Sequence, residues 1–377
     1  MVVCCILERT VEATDRRLRS APSGCGLVEI RGDHLGEADL AGLVHGAGRP
    51  VVVTVRRTAD GGFFDGSEEQ RRGMLRAALA SGARFIDVEH GSALRDLAEG
   101  DDAERVILSH HGAECGSSEL LATYRAMATS AAARLKIVPA ARSIGQAGAV
   151  RDLLSLAARE GRMLACFATG RAGAITRLLA PAWGSWASYG SHGTGASTAD
   201  GQFSVDEMLG THGVLGLGRS TRRFALLGRS VFGSPSPAMH RAGYRHTGLD
   251  ARYFPIEVDD FEECLPLLEP RGVLGVEALA LTIPFKEAAF RQCRTCDDVA
   301  RESGSVNTVR LESQGWAGYN TDGPAMLQLV RGQMDPAGAR AARDVCSCAR
   351  SGAVIPASAP SSPIPASTKP GGGRSRR

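Results

Sequence analysis

Short runs of β-branched and apolar residues recur along the first 215 positions, at 2–7, 27–31, 51–56, 85–89, 106–110, 135–138, 163–168 and 186–189. Each is short enough for a buried strand and too short for a stable helix. Between them lie segments with apolar residues at helical spacing, such as Leu75, Leu79 and Ala83, or Val150, Leu153, Leu154 and Ala157. Strand and helix therefore alternate eight times within the roughly 200 to 250 residues of a (β/α)8 TIM barrel, which predicts that α/β fold over an open doubly wound sheet. No Gly-x-Gly-x-x-Gly follows the first run, so no dinucleotide site is expected there.

The pattern restarts after a glycine- and arginine-rich stretch at 216–223, read as a linker between a barrel at 1–215 and a second α/β domain at 224–331. Residues 332–377 are rich in Ala, Ser and Pro and end in a short basic segment. That composition cannot bury enough surface to fold, and disorder is expected. A length of 377 residues and 43% hydrophobic content suit two domains. The net charge of +3 arises from interspersed charges, with no basic block in the first 330 residues, so neither nucleic acid nor a membrane is an expected partner. No apolar run approaches the ~18 residues of a membrane span. The first strand begins at Val2, leaving no room for a leader, and a reduced cytoplasmic protein is expected. Ten cysteines are scattered, and Cys293-x-x-Cys296 has no second half for a zinc site, so no metal is expected.

Ionisable residues cluster at the exits of the strand-like runs: Glu29 and Arg31, Arg56, Glu89, and His110 with His111, while Lys136 lies inside its run. Catalytic groups of such barrels sit at the C-terminal ends of strands, so these residues face one rim. Of 44 Lys plus Arg only Lys136, Lys286 and Lys369 are lysines. A site that keeps lysine against that background needs an amine that can lose its proton and attack a carbonyl, which a guanidinium cannot do.

The series Val-Glu-Ile-Arg, Val-Thr-Val-Arg-Arg, Ile-Asp-Val-Glu, Leu-Ser-His-His, Leu-Lys-Ile-Val-Pro, Gly-Ala-Ile-Thr-Arg-Leu and Ala-Ser-Thr-Ala-Asp-Gly-Gln resembles type I 3-dehydroquinate dehydratase in order along the whole barrel. The resemblance implies removal of water from 3-dehydroquinate through a Schiff base on Lys136, without a cofactor. An imine nitrogen accepts the electrons of a developing carbanion better than a ketone does. The apolar flank of Lys136 and a nearby imidazolium are expected to disfavour its ammonium form. His111 is the implied base and acid, with Glu89 orienting it and His110 as the competing choice. The family places an acidic residue after this histidine, where the chain has Gly112. Arg177 is implied to hold the substrate carboxylate, Ser197 and Gln202 to reach in from a closing glycine-rich loop, and Glu29, Arg31 and Arg56 to hold ring hydroxyls.

Further on, Gly233-Ser234-Pro235-Ser236-Pro237, Leu281-Thr282-Ile283-Pro284-Phe285-Lys286, Val306-Asn307-Thr308 and Asn320-Thr321-Asp322-Gly323 resemble the substrate-binding domain of shikimate dehydrogenase. The resemblance implies Ser234 and Ser236 on a carboxylate, Thr282 and Asn307 on hydroxyls, and Lys286 and Asp322 sharing the proton that accompanies hydride transfer. The NADP domain that this family needs, with its strand, glycine-rich turn and helix, is absent from the remaining sequence, so an incomplete dehydrogenase is expected. Small-molecule substrates are the expected partners, and a homodimer through the barrel is left open. Another Schiff-base barrel of the class I aldolase type explains Lys136 but not the Ser197 and Gln202 loop. A decayed, non-catalytic ligand-binding protein remains the reading from a different class.

Overall fold

The computed structural model describes residues 1–193, 201–218, 220–268, 272–313 and 315–333. Ser197 and the stretch 332–377, apart from its first two positions, lie outside the described residues. Met1–Asn320 forms one compact unit and Thr321 onward a second.

Eight parallel strands form the first sheet: β1 Val2–Ile6, β2 Leu27–Arg31, β3 Val51–Thr54, β4 Phe85–Glu89, β5 Val106–Glu114, β6 Arg134–Ala140, β7 Leu164–Cys166 and β8 Ser188–Ser191. Their order, β7-β6-β5-β4-β3-β2-β1-β8, is that of a near-closed barrel. Between β7 and β8 a single backbone bond from Trp186 N to Leu164 O, 3.2 Å, bridges the seam among the described residues. Trp186 also donates its indole N–H to Leu135 O, 3.1 Å. The run expected at 186–189 thus begins its strand two residues later, because Trp186 is spent on closure. The first four and the last three strands of the barrel run are otherwise within about two residues of where the apolar pattern puts them. β5 extends past its expected end through a register shift between His111 and Glu114. Gly112 adopts φ 83° there, a left-handed backbone that favours glycine.

The crossovers are α1 Val11–Ser20, α2 Glu37–Gly46, α3 Glu68–Ala80, α4 Ser117–Ala128, α5 Ala147–Arg159 and α6 Ala174–Leu179. α3 shows how they are built: Ser67 and Gln70 form a capping box, and Arg71, Met74, Leu75, Ala78 and Leu79 make its buried stripe. After β4 the chain makes only 3-10 turns, Ala93–Ala98 and Ala103–Arg105, where the even alternation predicts a helix. The segment's glycines and its Asp101-Asp102 pair disfavour a longer one.

The second sheet has six strands: β9 Arg222–Gly228, β10 Ala251–Glu257, β11 Ala278–Leu281, β12 Thr295–Cys296, β13 Thr308–Glu312 and β14 Gly315–Tyr319. Its order is β10-β9-β11-β13-β14-β12. β9, β10 and β11 are parallel, whereas β13 is antiparallel to β11. Helices α7 Ser236–Thr247, α8 Leu265–Leu268, α9 Lys286–Gln292 and α10 Asp298–Ser303 accompany it. α11, Asp322–Gln333, belongs to the second unit. Among the described residues no helix is long and apolar enough to cross a membrane, and no cluster of His, Cys, Asp and Glu could hold a metal ion.

Candidate active site

Parallel strands carry successive side chains to opposite faces, so the even register of β2 to β6 decides which ionisable groups meet inside the barrel. Lys136 pairs in register with Ser109, which pairs with Glu89. Asp87 and His111, two residues along from Glu89 and Ser109, therefore share that face. His110 turns the other way and meets His90 edge to face, with ring centroids 6.4 Å apart.

Lys136 is 3% exposed. Its Nζ lies 2.5 Å from Asp87 Oδ2, 3.5 Å from Glu29 Oε1 and 4.6 Å from the centre of the Tyr189 ring. The flank expected to be apolar is so along the stem only: two carboxylates sit at the amine. Asp87 is fully buried and also accepts a 2.6 Å bond from the Ser109 hydroxyl. Burial alone would raise the Glu29 carboxyl. Lys136, Arg31 and Arg56, with a 2.8 Å bond from the Thr54 hydroxyl, instead bring it down to about 2. Glu89 moves the other way, raised by burial and by Asp87 against the pull of Arg71 and Arg56.

Glu89 does not engage His111 in this structure. Arg71 Nη1 donates to Glu89 Oε2 at 2.5 Å and Arg56 Nε lies 3.4 Å from Oε1, so two guanidinium groups claim the carboxylate that was expected to orient the imidazole. His111 Nδ1 is enclosed and makes no hydrogen bond. Burial, then the cations Arg56, Lys136 and Arg31, push the imidazole well below its ordinary range. That shift favours the neutral imidazole over the imidazolium expected to help discharge Lys136. Neutrality suits a base.

Around this centre Arg31 is held by a two-pronged ion pair to Asp33, at 3.1 and 2.5 Å. Asp33 further accepts from the backbone N–H groups of Arg56 and Phe63, fixing the chain beyond β3. Arg177, on α6, is 2% exposed, stacks 4.7 Å from the Phe167 ring and reaches Tyr189 O at 3.5 Å. Gln202 Nε2 lies 3.9 Å from Cys5 Sγ, which brings it to the mouth of β1.

Asp87, Asp33, Arg71 and Tyr189 are site residues that the sequence reading missed. Asp87 had a usable signal, since it stands two residues before Glu89 in the same run and so shares its face. Arg71 also had one: it occupies the first position of the apolar stripe of α3, where a charge must have a buried partner.

In the second sheet the positions singled out, Asp322 apart, lie at one end of the central strands. Ser234 and Ser236 follow β9, Thr282 and Lys286 follow the neighbouring parallel β11, and Asn307 precedes the antiparallel β13. Ser234 Oγ donates to Ser236 Oγ at 3.1 Å and accepts from the N–H of Ser236. Asn307 is tied by backbone bonds to Tyr319 and Leu281, and Lys286 opens α9 with its carbonyl bonded to Val306 N. Asp322 opens α11 in the other unit.

The chain matches Type I 3-dehydroquinase over residues 2–218 and the shikimate dehydrogenase substrate binding domain over residues 226–309. It is 28% identical over 311 residues to a bifunctional 3-dehydroquinate dehydratase/shikimate dehydrogenase of Arabidopsis thaliana, described as chloroplastic, an alignment covering 79% of this chain and 51% of the relative. A shikimate dehydrogenase (NADP(+)) of Anaeromyxobacter sp. is 42% identical over 112 residues, 29% of this chain and 39% of that protein. A 3-dehydroquinate dehydratase of Dehalococcoides mccartyi is 31% identical over 216 residues, 55% of this chain and 92% of that protein. The chain thus spans about half the length of the bifunctional relative.

Proposed function

Because the chain belongs to the type I 3-dehydroquinase family, we propose that it is a lyase converting 3-dehydroquinate to 3-dehydroshikimate through an imine on Lys136. The observation that carries the reading is Lys136 itself, a buried amine on the inner face of the barrel among Asp87, Glu29 and a neutral His111.

The residues divide the work. The Lys136 amine attacks the ketone carbon, the oxygen leaves as water, and a protonated imine forms. His111 removes the α proton, and the C–H electron pair runs into the C=N bond. The imidazolium so formed returns its proton to the departing hydroxyl, and hydrolysis of the imine restores the amine. Arg177 is the proposed carboxylate fork, with Arg31, Arg56, Glu29, Gln202 and Ser197 around the ring. Glu89, raised by burial, is a positioning residue acting through Arg56 and Arg71. No cofactor enters these steps.

The bounds 1–215, 216–223 and 224–331 belong to the same proposal. For the second half it extends to a shikimate-type cleft, with Ser234 and Ser236 on a carboxylate, Thr282 and Asn307 on hydroxyls, and Lys286 and Asp322 as proton carriers by resemblance. Hydride transfer is not part of this proposal. A reducing compartment such as the cytoplasm is favoured by the free cysteines among the described residues. A homodimer through the barrel is proposed as the assembly to test by sedimentation.

The direct test is turnover of 3-dehydroquinate followed by the absorbance of the enone product. Lys136→Ala should lose all imine-dependent turnover, with circular dichroism unchanged. Near-normal turnover in that variant would remove the mechanism.

A further inference from the structure

We propose that Asp87 is the counter-ion of the Lys136 imine, a catalytic residue in its own right. The inference rests on the imine reading above and adds the group that keeps the imine protonated.

The groups set against Lys136 come from several elements: Cys5 on β1, Glu29 on β2, Asp87 on β4, His111 on β5 and Tyr189 on β8. Two of these are anions in contact with the nitrogen, and their geometries differ. Glu29 Oε1 stands at 3.5 Å and is shared with Thr54, whereas Asp87 Oδ2 is at 2.5 Å. The other Asp87 oxygen is held by the Ser109 hydroxyl, with Arg56 Nη2 at 3.7 Å. Asp87 is therefore fixed at both oxygens, fully buried, and aimed at the nitrogen that carries the positive charge of the protonated imine.

The step balances without another reagent. The resting ammonium gives one proton to the Asp87 carboxylate, leaving the amine free to attack. The carbinolamine then loses its hydroxyl, which takes that proton back from Asp87 and departs as water. What remains is a protonated imine whose N–H donates to the Asp87 carboxylate. When His111 takes the α proton, the electron pair neutralises the imine nitrogen. A buried carboxylate at hydrogen-bond distance keeps the imine protonated up to that moment, and only the protonated imine is a strong electron sink.

The test compares wild type with Asp87→Asn and Glu29→Gln, measuring kcat and KM against pH together with trapping of the imine by cyanoborohydride and peptide mass mapping. Asp87→Asn should lower kcat about 100- to 1,000-fold with KM changed far less. Its basic limb of kcat, and of trapping yield, should move to lower pH, because the imine sheds its proton sooner. Asp87→Glu, which restores the carboxylate, should recover part of the loss, and Glu29→Gln should shift the limb less than Asp87→Asn. If wild type traps and Asp87→Asn keeps both its kcat and its pH limb, the counter-ion role is overturned. If wild type itself gives no adduct, the imine reading fails first. Should Asp87→Asn not fold, Ser109→Ala removes only the hydroxyl that aims Asp87. A kcat about 10-fold lower at constant KM supports the role, and an unchanged kcat overturns it.

Discussion

Asp87 and Glu89 stand two residues apart on one strand face, yet their surroundings assign them different work. Asp87 is spent on Lys136 and Ser109, and Glu89 on Arg71 and Arg56. Carboxylates in one site with partners this different serve different roles, Asp87 at the amine and Glu89 through the guanidinium groups. Arg71 is the residue on which that separation depends. It is 0% exposed and bonds Glu89, Glu68 and the carbonyl of Val55. Arg71→Ala strands a buried carboxylate, and we expect a loss of about 3 kcal/mol in stability, at the low end for a broken buried pair because Arg56 remains. Urea unfolding measures it, and a loss below about 1 kcal/mol would mean that the pair is energetically idle. At this scale the sequence was half legible. Lys136, His111 and Glu89 announce themselves by type and position, but partners do not. Which carboxylate meets the lysine depends on strand register, and an apolar-looking flank along the chain does not show what the next strands place beside it.

At the scale of elements, apolar periodicity located all eight barrel strands to within about two residues at most ends, because a buried parallel strand needs a short continuous apolar run. It departed from the structure where local chemistry intervenes: β5 runs on past its expected end through the shift at Gly112, and a glycine- and aspartate-rich crossover replaces a helix after β4. The segment after β8 carries an unforeseen titrating group. His212 follows the turn Glu207–Thr211, packs edge-on against Phe203 at 5.2 Å and faces Phe254. Burial pushes its imidazole down to about 4, against the opposing pull of Glu207 and the Tyr253 backbone. The folded form therefore holds it neutral while the unfolded chain takes up a proton near its ordinary value of 6.5. Its contribution is fully present above about pH 6.5 and is lost as pH falls toward 4, amounting to about 3 kcal/mol. His212→Phe should flatten the dependence of unfolding free energy on pH across that window. A slope identical to wild type would assign the acid sensitivity elsewhere.

At the scale of the molecule, Met1–Asn320 joins two sheets into one compact unit. Arg171, in the loop before α6, pairs with Glu257 at the end of β10, at 2.9 Å. Glu257 in turn accepts the N–H groups of Val231 and Phe232, which lead to Ser234. The carboxylate that holds the loop leading to Ser234 is thus also anchored to the barrel, a link with no signature in sequence because its ends lie 86 residues apart. Pattern reading treated the two halves as separate and could not foresee that they pack as one unit.

The measurement that bears most directly on the central claim is borohydride reduction of the protein during turnover of 3-dehydroquinate, followed by peptide mass mapping. With only three lysines in the chain the result is unambiguous. The account predicts one stable adduct, on the peptide containing Lys136, with turnover lost in proportion to labelling. A folded protein that turns over substrate yet carries no adduct at Lys136, or carries it at Lys286, would contradict it.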